Sequence, residues 1–91
     1  MEIITTLSEL TGSEKQITWA ETIREKAITE INQMIEQVIA AGEPTSEDDK
    51  AAVKQIADSV AKATAETKSS FWIDNRGMSG RQILRQAAGI I

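Results

Sequence analysis

Apolar residues return along most of this chain at spacings of three and four, which is the period of a helix buried on one face. The longest such run carries Ile17, Ala20, Ala27, Ile31, Met34 and Val38 in one row, with Ile23, Ile28, Ile35 and Ile39 flanking it. Ser13 stands at its start as an N-cap, with Gln16 three residues on to complete a capping box, and Glu14 lies in the first turn facing the positive end of the helix dipole. Gly42 is placed to adopt the left-handed conformation that ends a helix, and Pro44 prevents continuation. A second helix starts from Thr45 or Ser46, loads its first turn with Glu47, Asp48 and Asp49, and presents Val53, Ile56 and Val60, with Thr64 weakening the row. Ala57, Ala61, Ala63 and Ala65 lie beside that row and predict close approach to a neighbouring helix, on which the second helix depends. Asp58 and Lys62 are four apart in the stabilising order.

The remaining segments are short. Residues 70–76 predict one or two helical turns ended by Gly77, and Ser79 caps a last helix over Gly80 to Ala88 that presents Ile83, Leu84 and Ala87 and stops at Gly89. Before Ser13, the residues Ile3, Ile4, Leu7 and Leu10 follow neither period and predict an irregular lead-in. The expected fold is therefore all-α: a small three- to four-helix bundle over residues 1–91, one domain, with a long first helix and a short irregular N-terminal lead-in. There are no internal repeats.

Composition narrows the function classes. The chain has 91 residues and neither cysteine nor histidine. Thiol nucleophiles, imidazole bases and the usual transition-metal ligands are therefore missing, and the glycines at 77 and 80 lack the Lys-Ser/Thr of a phosphate loop. The acidic run Glu47-Asp48-Asp49 lacks the spaced ligands and turn glycine of a calcium loop, so helix-start electrostatics is preferred. No catalytic residue, cofactor or metal site is expected, and the chain reads as a non-enzyme. Lack of cysteine, of a signal peptide and of an apolar stretch of about 18 residues fits a cytoplasmic protein with no membrane association.

The formal charge is −4, and it is uneven. Residues 69–91 sum to +2 and residues 1–68 to −6. The plainest expectation is that the basic tail packs beside acidic helices. An acidic chain is a poor default candidate for duplex DNA.

The three aromatic residues are Trp19, Phe71 and Trp72. The expected arrangement is that they pack together as one end of the core; the sharper alternative exposes one ring as an anchor for a partner. Arg24 interrupts the apolar stripe and needs a partner, and a half-buried pair with Asp74 is the preferred structural reading. The functional alternative is a polar recognition patch of Arg24, Asp74, Asn75 and Arg76.

Two blocks carry a resemblance. Thr11-Gly12-Ser13-Glu14-Lys15-Gln16-Ile17-Thr18-Trp19-Ala20-Glu21-Thr22-Ile23-Arg24 resembles a motif of small, largely uncharacterised proteins of Gram-positive bacteria, their phages and mobile elements, and Phe71 to Arg76 matches the aromatic-Trp-Ile-Asp-Asn-Arg block of the same proteins. Together the blocks cover about a fifth of the chain. The resemblance implies an origin more than an activity. Phages and mobile elements encode small acidic inhibitors of host nucleases, anti-CRISPR proteins among them, and an acidic surface can occupy a positively charged channel. The leading expectation is thus a protein-binding module, an inhibitor of a host nucleic-acid-handling complex, with Glu21, Glu25, Glu36, Glu47, Asp48 and Asp49 as contacts. The alternatives are a nucleic-acid-associated accessory protein using Lys68, Arg76, Arg81 and Arg85, and a homo-oligomer built on an apolar stripe too long for one chain to cover.

Overall fold

The computed structural model describes residues 1–89; the last two residues of the expected 1–91 domain lie outside the described residues. Four helices follow in order: α1 (Glu14–Ala40), α2 (Glu47–Ala65), α3 (Ser69–Asp74) and α4 (Gly80–Ala88). The all-α bundle expected from the apolar period is what forms.

The boundaries have local causes. Ser13 accepts from the Gln16 backbone N–H and the Gln16 side chain accepts from the Ser13 N–H, so the expected capping box opens α1. Of the two candidates before α2, Ser46 is the cap, accepting from the Asp49 N–H. Ser79 and Gln82 repeat the capping box at α4. Gly42 and Gly89 take the left-handed φ of +82° and +73° that helix ends require of a residue without Cβ. Gly77 has an ordinary φ and does not end α3. Two side chains do that instead: the buried Asn75 donates from Nδ2 to the Phe71 carbonyl at 2.6 Å, and Arg76 donates from Nη1 to the Ile73 carbonyl at 2.8 Å.

The core is formed by Ala20, Ala27, Ile28, Ile31 and Ile35 of α1, Ala63 of α2, Trp72 of α3, Ile83 and Leu84 of α4, and Leu10 of the lead-in. Helix α1 packs on α3 and α4, and α2 packs on α4. Of the alanines expected to face a close neighbour, Ala63 is buried and Ala57 half-buried, while Ala61 and Ala65 are exposed; Ser59 is the other buried residue of α2. The last turn of α1 and the first three turns of α2 bury no residue, so that end of a molecule measuring 46 × 24 × 20 Å is a thin hairpin of helices.

The lead-in is irregular, as expected, but its course is defined. It runs antiparallel to α1 and is held at two points. The Asn32 amide accepts from the Ile4 N–H at 2.7 Å and donates to the Ile4 carbonyl at 3.1 Å; Arg24 Nη1 donates to the Ser8 carbonyl at 2.7 Å. Four residues of extended chain span about 13 Å and the eight helical residues between Arg24 and Asn32 about 12 Å, so the two clamps are in register. Further on, the Thr11 N–H donates to the Thr67 carbonyl at 2.7 Å and the Ser69 N–H to the Thr11 carbonyl at 3.1 Å, a one-residue parallel bridge between the lead-in and the α2–α3 linker.

These contacts correct two expectations about ion pairs. Arg24 does not pair with Asp74; its guanidinium clamps the lead-in, while Asp74 stays exposed at the end of α3. Partial burial pushes the Arg24 pKa below its ordinary value, and the neighbouring Glu21 carboxylate opposes the shift, so the group remains charged across the physiological range. Among the described residues the ion pair within 4.0 Å is Lys50–Glu47, both solvent-exposed; Asp58 and Lys62 do not close. Asp74→Ala is accordingly expected to leave the melting temperature within about 2 °C of wild type, because an exposed unpaired carboxylate contributes little. Arg24→Ala is expected to cost about 1–2 kcal/mol, since it orphans the Ser8 carbonyl. Thermal unfolding of the two variants side by side checks the assignment, and a large loss for Asp74→Ala would restore the pair.

Candidate functional site

Two of the three aromatic residues pack together, and Trp19 stands apart. Trp72 is completely buried, with Phe71 edge-on at 5.2 Å and an interplanar angle of 89°. Trp19 is 50% exposed. The expected Trp19–Trp72 core is therefore replaced by a division of labour, and the reason is angular. On a 3.6-residue helix Trp19 falls beside Lys15, Thr22, Ile23 and Lys26, well away from the row through Ala20, Ala27 and Ile31.

What Trp19 meets instead is Arg76, whose guanidinium carbon lies 5.4 Å from the ring centroid, within cation–π range. The same guanidinium caps α3 through the Ile73 carbonyl, so the cation is fixed to one helix while it holds the ring of another. The two sequence blocks thus meet through Arg76 and Trp19, and the first block also bridges from Thr11 to Lys68, just ahead of the second. Ile23, Ala27, Met78 and Ile83 line a shallow apolar hollow next to Arg76, and Thr18 and Thr22 continue the surface on the other side of Trp19 with Glu14 and Lys15. The threonine hydroxyls donate to the backbone one turn back, Thr18 to Glu14 and Thr22 to Thr18, which turns their methyl groups into the exposed surface.

Each acidic candidate is exposed. Glu14, Glu21, Glu25 and Glu36 are separated by seven, four and eleven residues, spacings that return to one helix face, and they form an acidic ridge along α1 beyond the threonines. Glu36 lies about 16 Å along the axis from Glu25. Glu47, Asp48 and Asp49 are not part of that ridge; they begin α2. Among the described residues no group of three or more metal-ligating side chains is gathered to hold a cation.

The basic candidates divide into three places. Lys68 is the N-cap residue of α3, Arg76 belongs to the Trp19 site, and Arg81 and Arg85 stand one turn apart on α4 at the α2 seam. The expectation of one basic C-terminal surface is corrected: the turn after α3 and the reversal into α4 separate them. Arg24, Asp74, Asn75 and Arg76 likewise do not form one patch, because Arg24 faces the lead-in and Asn75 is spent inside α3. No helix among the described residues is long and apolar enough to cross a membrane.

Three functional positions escaped the sequence reading. Asn32 holds the lead-in, Glu30 accepts from the Gly80 N–H at 2.8 Å and so caps α4 from another helix, and Met78 borders the Trp19 site. Asn32 had a signal: it follows Arg24 by eight residues on one helix edge, so two polar groups flank Ile28 where a backbone could run. No family model, curated protein or solved structure matches the chain.

Proposed function

We propose that the chain is a non-enzymatic protein-binding module that docks through the outer face of the first half of α1, with Trp19 as the anchor. The observation that carries this reading is a half-exposed indole clamped in place by Arg76. Exposed tryptophan and arginine are the residue types that dominate binding hot spots, and a ring already immobilised loses little entropy on docking. The Glu14–Glu21–Glu25 ridge, beyond the threonines on the same helix, adds a charge that selects a basic partner and speeds encounter. The resemblance to phage and mobile-element proteins, together with this acidity, supports a finer proposal: the partner is a cytoplasmic host complex that handles nucleic acid, and docking inhibits it in the manner of an anti-CRISPR protein. Scattering of the basic residues over three places favours this over the nucleic-acid accessory role.

Trp19→Ala is the test. Its fold should be retained, with circular dichroism unchanged, while a partner captured from Gram-positive lysate by the wild-type bait is lost. A hot-spot truncation costs about 2 kcal/mol or more, roughly 30-fold in affinity. Equal capture by both baits removes the proposal. Homo-oligomerisation is a second reading with an observation of its own: Ile39 is 49% exposed, with Met1 and Ile3 also open to solvent, and Met1 and Ile39 share a hollow with Val38, Pro44 and Val53 at the thin end. Light scattering over a concentration series decides it.

A further inference from the structure

The face made by α2 and α4 carries a different chemistry from the Trp19 face, and shares no lining residue with it. Leu84 is buried there, Met34 and Ile56 are half-buried, and the three aliphatic side chains floor a groove of about 280 Å³ between α1, α2 and α4. Arg81 and Arg85 form one wall. The groove continues past Gln55 and Ser59 along α2, where Lys54 and Lys62 flank it with Asp58 between them. From Ala51 to Lys62 the trough follows eleven residues of helix, about 16 Å. Two arginines thus border the aliphatic hollow and two lysines with one carboxylate the adjoining hollow along α2, on a chain whose net charge is −4.

Arg81 stands where the helix dipole disfavours it, whereas Arg85 lies in the last turn of α4, where a cation is favoured. Arg81 lies in the first turn of α4, at the positive end of the dipole, and Arg85 follows it by four residues, a like-charge pair on one face. Among the described residues neither has a carboxylate within 4.0 Å. An anionic occupant would offset the placement of Arg81 and the repulsion between the two guanidinium groups. The floor is aliphatic and offers no ring for stacking bases, which counts against single-stranded nucleic acid. The Ser59 hydroxyl donates to the Gln55 carbonyl, so it is already used within α2. Recognition must then come from apolar burial down the middle and negative charge along the edges, over about three helical turns.

We infer that this trough binds an acidic amphipathic helix of a partner protein, whose aliphatic residues at i, i+3 or i+4 and i+7 enter the Met34–Ile56–Leu84 floor while flanking carboxylates meet Arg81 and Arg85. This is a second docking surface of opposite sign to the acidic ridge of α1, and it does not depend on the Trp19 site.

The test uses the full chain and a synthetic helical peptide of about four turns, with leucines on one face and glutamates beside them, followed by amide chemical shifts and titration calorimetry at low salt. Expected are saturable binding, shifts centred on Ile56, Ser59 and Leu84, and an affinity at least about tenfold weaker in the Arg81→Glu/Arg85→Glu variant. Arg81→Gln/Arg85→Gln, which removes the charge without reversing it, should fall between, and both variants should match wild type by circular dichroism. Trp19→Ala should bind the peptide as wild type does, so failure at one surface is distinguishable from failure at the other. The inference is overturned by an unresponsive groove, by unchanged affinity in both arginine variants, or by stronger shifts of the same residues from an oligonucleotide, from decanoate, or from raising the protein concentration alone.

Discussion

Trp72→Ala is expected to remove most of the cooperative stability of the chain. Trp72 is the largest fully buried side chain, at 0% exposure, and it joins α3 to the core under α1. Truncating a buried tryptophan to alanine costs about 3–5 kcal/mol, because the transfer free energy is lost and a cavity remains. A domain of this size holds roughly 5–14 kcal/mol in total, so the loss takes between about a fifth and all of it. Thermal and urea unfolding should show a midpoint far below wild type or no transition at all. Trp72→Phe should be much milder. It keeps most of the apolar area, and it deletes an indole N–H that is buried without a hydrogen-bond partner. A steep alanine loss with a mild phenylalanine loss identifies packing as the source of the stability. Equal losses in the two variants would instead mean that the indole N–H matters, against the bonding seen here.

The same residue separates what the sequence could convey from what it could not. Helix starts were legible because Ser13, Ser46 and Ser79 satisfy orphan N–H groups within three residues, a local problem with a local solution. The α1 stripe was legible because burial imposes its period on one face. The Trp19 environment was legible in part: its helical neighbours Lys15, Gln16, Thr22 and Ile23 are mostly polar, yet the scarcity of aromatic residues favoured grouping all three. The partners of Arg24 and Arg76 were not legible. A guanidinium in a half-apolar setting requires an acceptor, but a backbone carbonyl leaves no mark in the sequence, and a carboxylate such as Asp74 does. Both arginines chose carbonyls, Ser8 and Ile73. Candidate contact surfaces scattered for a related reason. Grouping Arg76 with Arg81 and Arg85 used proximity along the chain, and the turn through Asn75–Met78 followed by the start of α4 separates them in space.

The second large effect is expected at Gly80, where space is limiting. Gly80 opens α4 at its crossing with α1, and a Cβ added there would lie 2.9 Å from Glu30 Cβ, 3.1 Å from the Ala27 carbonyl oxygen and 3.1 Å from Ile31 Cγ1. Two of those atoms are fixed by the α1 backbone and cannot turn aside, so α4 itself must move outward. That motion also lengthens the 2.8 Å bond from the Gly80 N–H to Glu30, the charged cap that offsets the absence of acidic residues in the first turn of α4. Overpacking of this kind costs about 1–3 kcal/mol, more than the roughly 0.5–1 kcal/mol that replacing glycine by alanine in a helix returns. Gly80→Ala is therefore expected to lower the melting temperature by several degrees, up to about 15 °C, and Gly80→Val by more. Gly77→Ala is the control: its Cβ meets nothing within 4 Å and its φ is ordinary, so the change should be neutral or stabilise by up to about 1 kcal/mol through the unfolded state. Opposite signs at two glycines three residues apart would locate the constraint at the α1–α4 crossing. The consequence reaches the trough, because α4 carries Arg81, Leu84 and Arg85 on the same nine residues. A displaced α4 should weaken peptide binding there while leaving the Trp19–Arg76 contact, built on α1 and the turn after α3, as it was.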